Sequence, residues 1–266
     1  MPSAYAHYRF GAEVLAQLPE ALRQKIEPWR ALYNIGVHGP DILFYFHPLW
    51  HTEIRAEGNH MHDRQARVFF QHAAEVIRPL KGEARAKALA YAYGFITHFS
   101  LDSACHTFVD ECKYGLGISH TAIEVDFDRR LMRLDNCPAR CPVAHIEPKD
   151  EWAEVIWPFY RGVAKKDVML SLRSMRFYGK LLATRNNFAR KVIATVGGMI
   201  DKTNELPGWT ADGNDPRCVP VYEGLMARRE KGLARALMLM GEFEDVLNGK
   251  LPLNAAYDAT FGAEKE

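Results

Sequence analysis

The sequence predicts an all-α protein, and three observations carry that prediction. Apolar residues recur at helical spacing through most of the chain, and no stretch sustains the apolar–polar alternation of a half-buried strand. The third is residues 88–109, ALAYAYGFITHFSLDSACHTFV, an almost wholly apolar or small segment without Lys, Arg or Glu. Leu89, Tyr93, Ile96, Phe99, Leu101 and Phe108 spread around a helical wheel, so this helix is expected to be buried on nearly every side.

That buried helix carries His98, Asp102 and His106. At about 100° per residue, positions four and eight apart drift by only about 40° and 80°, which places all three on one stripe. An unpaired carboxylate and two imidazoles are costly to bury, and a cation offsets the cost. A membrane span of this length would have to carry the same three polar groups, which speaks against one.

The remaining elements follow in order. Residues 9–27 read as an amphipathic helix (Phe10, Val14, Leu15, Leu18, Leu22, Ile26) split by Pro19. YNIGVHGPDILFYFHPLW is apolar but punctuated by Gly36, Gly39, Pro40 and Pro48, so a wall-forming loop with a short helical turn after Asp41 is expected. HTEIRAEGNHMHD reads as a polar bridge, and a helix from near His60 to Ile77 closes at Pro79 and Gly82. The spine helix then runs from near Glu83 to Lys113–Gly117, and a further helix covers 118–134. After a Pro- and Cys-rich loop at 135–150, helices are expected near 150–164, 167–182, 185–201 and 222–248. An irregular connection at 205–220 and a loosely held tail after Leu251 complete the chain. Residues 1–135 are expected to form a metal-binding helical core, and 136–266 a helical C-terminal half packed into the same single domain.

Composition bounds the function. The chain has 266 residues, 48% hydrophobic and 25% charged, and 34 basic against 33 acidic side chains leave a formal net charge of +1. No global field favours nucleic acid or an anionic membrane. No signal peptide or transmembrane segment is read in the sequence as given, and a cytoplasmic location is expected. Five cysteines at irregular spacing read as reduced thiols. Cys137 and Cys141 read as loop residues, and Cys105 as core packing.

His120 and Glu124 lie four apart on the helix after the spine and share a face. Imidazole nitrogens with carboxylate oxygens suit zinc, and also manganese or iron. Asp126 and Asp128 read as partners of Arg129 and Arg130 or of the helix N-terminal half. The HGPD turn supplies His38 and Asp41, with Gly39 and Pro40 bending the backbone so that the carboxylate points into a cavity. HMHD offers His60 and His62, and His7 precedes the first expected helix without a packing role. His47, His51, His72 and His145 are read as surface or loop residues, and Phe44, Tyr45 and Phe46 as wall packing.

YNIGVHGPD, GNHMHD, GFITHFSLDSACH and HTAIEVDFD, in that order, resemble the zinc-dependent phospholipase C family, itself related to zinc-dependent single-strand nucleases. The resemblance covers roughly residues 5 to 130. It implies an all-helical domain with a cluster of two or three zinc ions. On that resemblance His98, Asp102 and a histidine of GNHMHD hold one metal, with His62 favoured over His60. His106, His120 and Glu124 hold a second. His7 and a bridging Asp102 belong to a third, and Asp41 is the general base or an extra metal contact. The sequence departs from the secreted members, which use an N-terminal tryptophan at the third metal, whereas it starts Met1–Pro2. The third site is therefore expected to be absent, weakly filled or completed differently. The implied activity is hydrolysis of a phospholipid or related phosphodiester by metal-activated water, without a stable nucleic-acid complex. Ser100, Ser103 or Thr121 are expected to fix imidazole tautomers. The alternatives are an HD-type phosphohydrolase built on His62–Asp63, with His38 and Asp102, and a non-catalytic metal-stabilised scaffold. Oligomeric state is left open.

Overall fold

A computed structural model describes residues 4–137, 145–182 and 215–262, together with a few positions between 191 and 201. Among these residues there is no β-strand, and the sole ladder contact is an isolated bridge between Gln65 and Thr260. The architecture is all-α. The expected helix near 185–201, Cys141, and most of the 205–220 connection lie outside the described residues.

The spine is α6, Gly82–Leu116, and every residue from Ala88 to Ser103 is buried. Three earlier helices precede it at the N-terminal end: α1 (Ala4–Gln17), α2 (Glu20–Ile26) and α3 (Arg30–Gly36). A seven-residue 3-10 segment, Gly39–Tyr45, follows them. Helices α4 (Glu53–Asp63) and α5 (Ala66–Ile77) lead into the spine. After it come α7 (His120–Leu134), α8 (Asp150–Ile156), α9 (Lys165–Leu182) and the long α10 (Val219–Leu247). Helices α3 and α10 pack most extensively along the spine, with α1, α2, α5, α7 and α8 completing its surround.

The α3–α6 crossing is set by two glycines. A Cβ on Gly94 would lie 2.2 Å from the Tyr33 carbonyl oxygen, and one on Gly36 would lie 2.3 Å from that of Tyr91. The backbones therefore touch directly, and this close approach seats the segment after α3, including Asp41, against the spine. Gly36, which as a helix breaker signals a loop, instead occupies the last position of α3.

Three local expectations are corrected. The bridge HTEIRAEGNHMHD is helical: Thr52 caps α4 by accepting from the Arg55 amide at 3.2 Å. His60 and His62 thus end one helix rather than start another, and extended Arg64 separates α4 from α5. The tail after Leu251 is not loose. It forms a 3-10 turn, Ala255–Asp258, buries Tyr257 and Phe261, and is tied down by Ala66 N–H donating to Ala259 O at 2.9 Å and Gly262 N–H to His62 O at 3.0 Å. Finally, α1 begins early enough that His7 lies inside it and is buried.

Gly94→Ala is expected to force α3 off the spine, at a cost of about 1–3 kcal/mol. In a chain of this size that corresponds to a melting point lower by roughly 3–10 °C in scanning calorimetry; an unchanged melting point would refute the crossing.

Candidate metal centre

The register of α6 brings His98, Asp102 and His106 onto one face, which looks into a space walled by α1, α4, α7 and the Asp41 segment. Asp102 sits at its centre. Its Oδ2 lies 3.0 Å from His98 Nε2 and 3.6 Å from His62 Nε2, and its Oδ1 lies 3.1 Å from His7 Nε2 and 3.8 Å from His106 Nε2. Glu124 occupies the other end, with Oε1 3.0 Å from His120 Nε2 and 3.5 Å from His106 Nε2. Asp41 Oδ1 is 3.2 Å from His62 Nε2.

These atoms fall into three sets whose ligand atoms lie within 4.8 Å of one another: His62–His98–Asp102, His106–His120–Glu124 and His7–Asp41–His98. Two ligands at about 2.1 Å from one tetrahedral zinc stand about 3.4 Å apart, so the observed separations match shared coordination. His98 gives the sharper test. Fully buried, it has neither ring nitrogen hydrogen-bonded among the described residues, although its Nε2 is only 3.0 Å from Asp102. Close approach without hydrogen-bond alignment is the geometry of two ligands aimed at a common cation. His7 Nδ1 is likewise without a hydrogen bond among these residues.

The electrostatics agree. Burial opposes ionisation of Asp102, but His106, His98 and His7 hold its carboxyl well below the usual range. Burial likewise opposes ionisation of Glu124, and His120 and His106 help hold it well below. Asp41 is also held low against burial, chiefly by its hydrogen bond with His62. Burial would lower His62, yet Asp102 and Asp41 push it up to about 10; burial would lower His120, yet Glu124 pushes it up to about 9. Three buried carboxylates thus create a negative field, and among the described residues no Lys or Arg lines the adjoining cavity of about 220 Å³. Divalent cations answer that field, and the donor set of imidazole and carboxylate suits zinc.

Residues 6–167 match the sequence profile of the family described as zinc dependent phospholipase C. The chain belongs to the zinc-dependent phospholipase C family. The match reaches past the stretch, roughly 5 to 130, in which the family's motifs are recognisable by eye. No curated protein and no solved structure matches the chain. Family membership makes zinc the cofactor and hydrolysis the reaction class at the level of the family.

The remaining sequence candidates lie elsewhere. His60 is exposed beside Glu57, while His62 faces inward. Asp63 is exposed, so the His62–Asp63 dyad of an HD-type site does not converge on the cluster. His38 is buried, but its Nε2 meets His145 Nε2 at 2.8 Å, and burial lowers both rings. His145, expected as a surface or loop residue, lies in a turn and stacks on Tyr8 with ring centroids 3.9 Å apart. Of the aromatic run, Phe44 lines the cavity and stacks on His62, Tyr45 is core, and Phe46 is half-buried. Cys105 is packed as expected, its thiol pushed up to about 12 by burial.

The groups that orient the zinc-family ligands differ from those expected. Ser100 and Ser103 donate to carbonyls one turn back, Ile96 O and Phe99 O, and leave the imidazoles alone. Instead, the Nδ1 atoms of three histidines donate to other oxygens: His62 to Gly58 O at 2.7 Å, His106 to Phe261 O at 3.0 Å and His120 to Asp110 Oδ1 at 3.1 Å. Each bond fixes the tautomer that aims Nε2 at a carboxylate. Asp110 was findable, since it continues the four-residue register 98–102–106; a backbone carbonyl at Phe261 left no trace in sequence. Asp128 reaches the first helix. It accepts from Tyr5 N at 3.0 Å and Ala6 N at 2.8 Å, capping the helix that carries His7. Asp126 does pair with Arg130, as expected.

The Asp41 segment has its own brace. Gly39, at φ +48°, leaves space that a Cβ would fill 2.2 Å from the His98 ring. The Tyr160 hydroxyl donates to Gly39 O at 2.8 Å and meets the Tyr91 hydroxyl at 2.7 Å.

Two outcomes follow from this geometry. Tyr160→Phe is expected to lower kcat roughly fivefold, the equivalent of one hydrogen bond, with zinc content unchanged by atomic absorption. In the metal-free protein, His62 and His120 stabilise the fold below about pH 6.5, and that contribution is lost as pH rises through 9 to 10, because their folded pKa values lie above the unfolded one. Zinc needs both imidazoles neutral. Loading the metal-free protein near pH 7.5 should therefore release about two protons per chain, read by titration calorimetry in buffers of different ionisation enthalpy; no release would refute the charge assignment.

Proposed function

We propose that the chain hydrolyses a phosphodiester, with a phospholipid as the substrate class, at a centre of two or three zinc ions. The observation that supports this most directly is the pair of adjacent ligand sets, His62–His98–Asp102 and His106–His120–Glu124, of which His62 and all three members of the second line one cavity with Asp41 and Phe44. In this reading the first set holds one ion and the second another, and His7 with Asp102 contributes to a third. Bound zinc supplies a Lewis acid for phosphoryl oxygens and lowers the pKa of a water from 15.7 to roughly 7.

The chain's own residues supply the rest. Asp102, held ionised, keeps both oxygens turned to the cluster and bridges two ligand sets. Asp41, held ionised by His62, accepts a hydrogen bond from the attacking water and orients it, or takes its proton. His62, His106 and His120 are locked by Gly58, Phe261 and Asp110, so the ligand shell needs no rearrangement when substrate arrives. With no Lys or Arg on the cavity wall among the described residues, the substrate's negative charge meets the ions. Phe44 offers an apolar face beside them.

Glu124→Gln is expected to lower the zinc content by one ion per chain. Asp41→Asn is expected to retain at least the second ion and to lower turnover of an aryl phosphodiester by about 10²-fold or more. A zinc-reloaded protein that cleaves neither phospholipids nor aryl phosphodiesters would refute the assignment.

A further inference from the structure

Helix α9 carries a feature that the metal centre does not use. At about 100° per residue, Lys166, Leu170, Arg173, Phe177, Lys180 and Leu181 fall within an arc of about 100°. All but Leu170 are exposed, Phe177 at 59%. The opposite side, Val168, Ser171, Leu172 and Met175, is buried, and α9 packs against the segment that carries Asp41. The outward stripe is thus cationic with an aromatic and an aliphatic side chain set into it, and it runs about 22 Å along the helix. Lys166, Arg173 and Lys180 have no acidic partner among the described residues, whereas Lys165, just off the stripe, is paired with Asp150 and Glu154. In a chain with a formal net charge of only +1, such a concentration of unpaired cations is local, and it lies on a different wall from the acid-lined cavity.

We propose that this face of α9 docks on an anionic phospholipid bilayer, holding the enzyme at the surface where its substrate resides. The inference rests on the phospholipid reading above for its purpose, but not for its chemistry. Unpaired Lys and Arg attract an anionic headgroup layer, and Phe177 and Leu181 enter the acyl boundary between them. A protein partner fits less well, since the centres of protein interfaces are depleted of charge, and here the centre of the stripe is charged. A nucleic acid would use the cations and one aromatic ring but leave Leu181 against water.

The test uses the zinc-loaded full chain sedimented with vesicles of phosphatidylcholine alone or with roughly one-third phosphatidylserine. Anionic vesicles are expected to bind at least about tenfold more protein, with binding weakened by salt. Each cation contributes on the order of fivefold, so Arg173→Gln with Lys180→Gln should weaken binding about 25-fold, and adding Lys166→Gln about 100-fold. Phe177→Ser should weaken it even in high salt. Melting points and turnover of a soluble aryl phosphodiester should stay unchanged in all three variants, because none of these side chains lines the cavity. Equal binding of wild type to both vesicles, or of the variants and wild type to anionic vesicles, overturns the proposal. So does a loss confined to single-stranded oligonucleotide binding. Soluble turnover with no vesicle preference would sink the docking face alone, whereas vesicle binding without turnover of any phosphodiester would sink the hydrolase reading alone.

Discussion

A single buried carboxylate sets the terms for the rest of the protein. Asp102 is inside the most apolar helix of the chain, and four imidazoles approach its two oxygens, two from its own helix and one each from α1 and α4. Taking an ion of this size out of water costs several kcal/mol even after relaxation. Neutral imidazoles cannot repay that, and protonating them all would trade one buried charge for four. Divalent cations shared among these groups resolve the conflict, and they also explain why a ring as deeply placed as His98 lacks hydrogen bonds among the described residues. The fold is the scaffold that makes this otherwise unfavourable convergence possible.

That scaffold holds the ligands through contacts that are remote in sequence. The helix carrying His7 is capped by a carboxylate from the helix carrying His120 and Glu124, 122 to 123 residues away. Burial pushes Asp128 up to about 7, and the two amide hydrogen bonds oppose that rise; the cap thus sits near its titration point, and its grip on α1 depends on those amides. His106 is oriented by the carbonyl of Phe261, 155 residues on, while the Phe261 ring packs near both His98 and His62. Two consecutive tail residues thereby take part in the site: Phe261 as its orienting wall and Gly262 as part of its cavity lining. The family profile ends at residue 167, so this strap comes from a part of the chain beyond the recognisable family region.

How much of this was legible in the sequence depends on range. The spine helix, the stripe bearing His98, Asp102 and His106, and the HxxxE pair on α7 are consequences of helical periodicity, which is local and survives in one sequence. The end of the first long amphipathic segment at Pro19 is equally local, and α1 and α2 do divide there. What misled was also local. HTEIRAEGNHMHD reads as a polar bridge, yet Gly58 and Asn59 within it sit inside α4 because Thr52 caps that helix and its buried side packs on the Asp41 segment. Tertiary contact overrode propensity there. The roles of Asp128, Tyr160, His145 and Phe261 depend on partners 69 to 155 residues distant, and no periodicity encodes such pairings. Polarity and spacing single out the candidate ligands; they carry no trace of the groups that orient them.

The near-zero net charge conceals a division of labour that only the folded arrangement reveals. Acidic groups converge inward, where their mutual repulsion is tolerable because cations bind among them. The basic residues of α9 face outward, where no acid meets them among the described residues. Had the same charges been interleaved, each carboxylate would have found an ammonium partner and the site would have had no reason to recruit a metal. Had the cations faced the cavity, they would have bound the anionic substrate themselves and competed with the ions for it. Separation lets one protein present a negative interior to zinc and a positive exterior to an anionic surface. One helix links the two, since the buried side of α9 packs on the segment that carries Asp41. Contact at the outer face of α9 is therefore one packed layer away from the Asp41 carboxylate at the edge of the cavity.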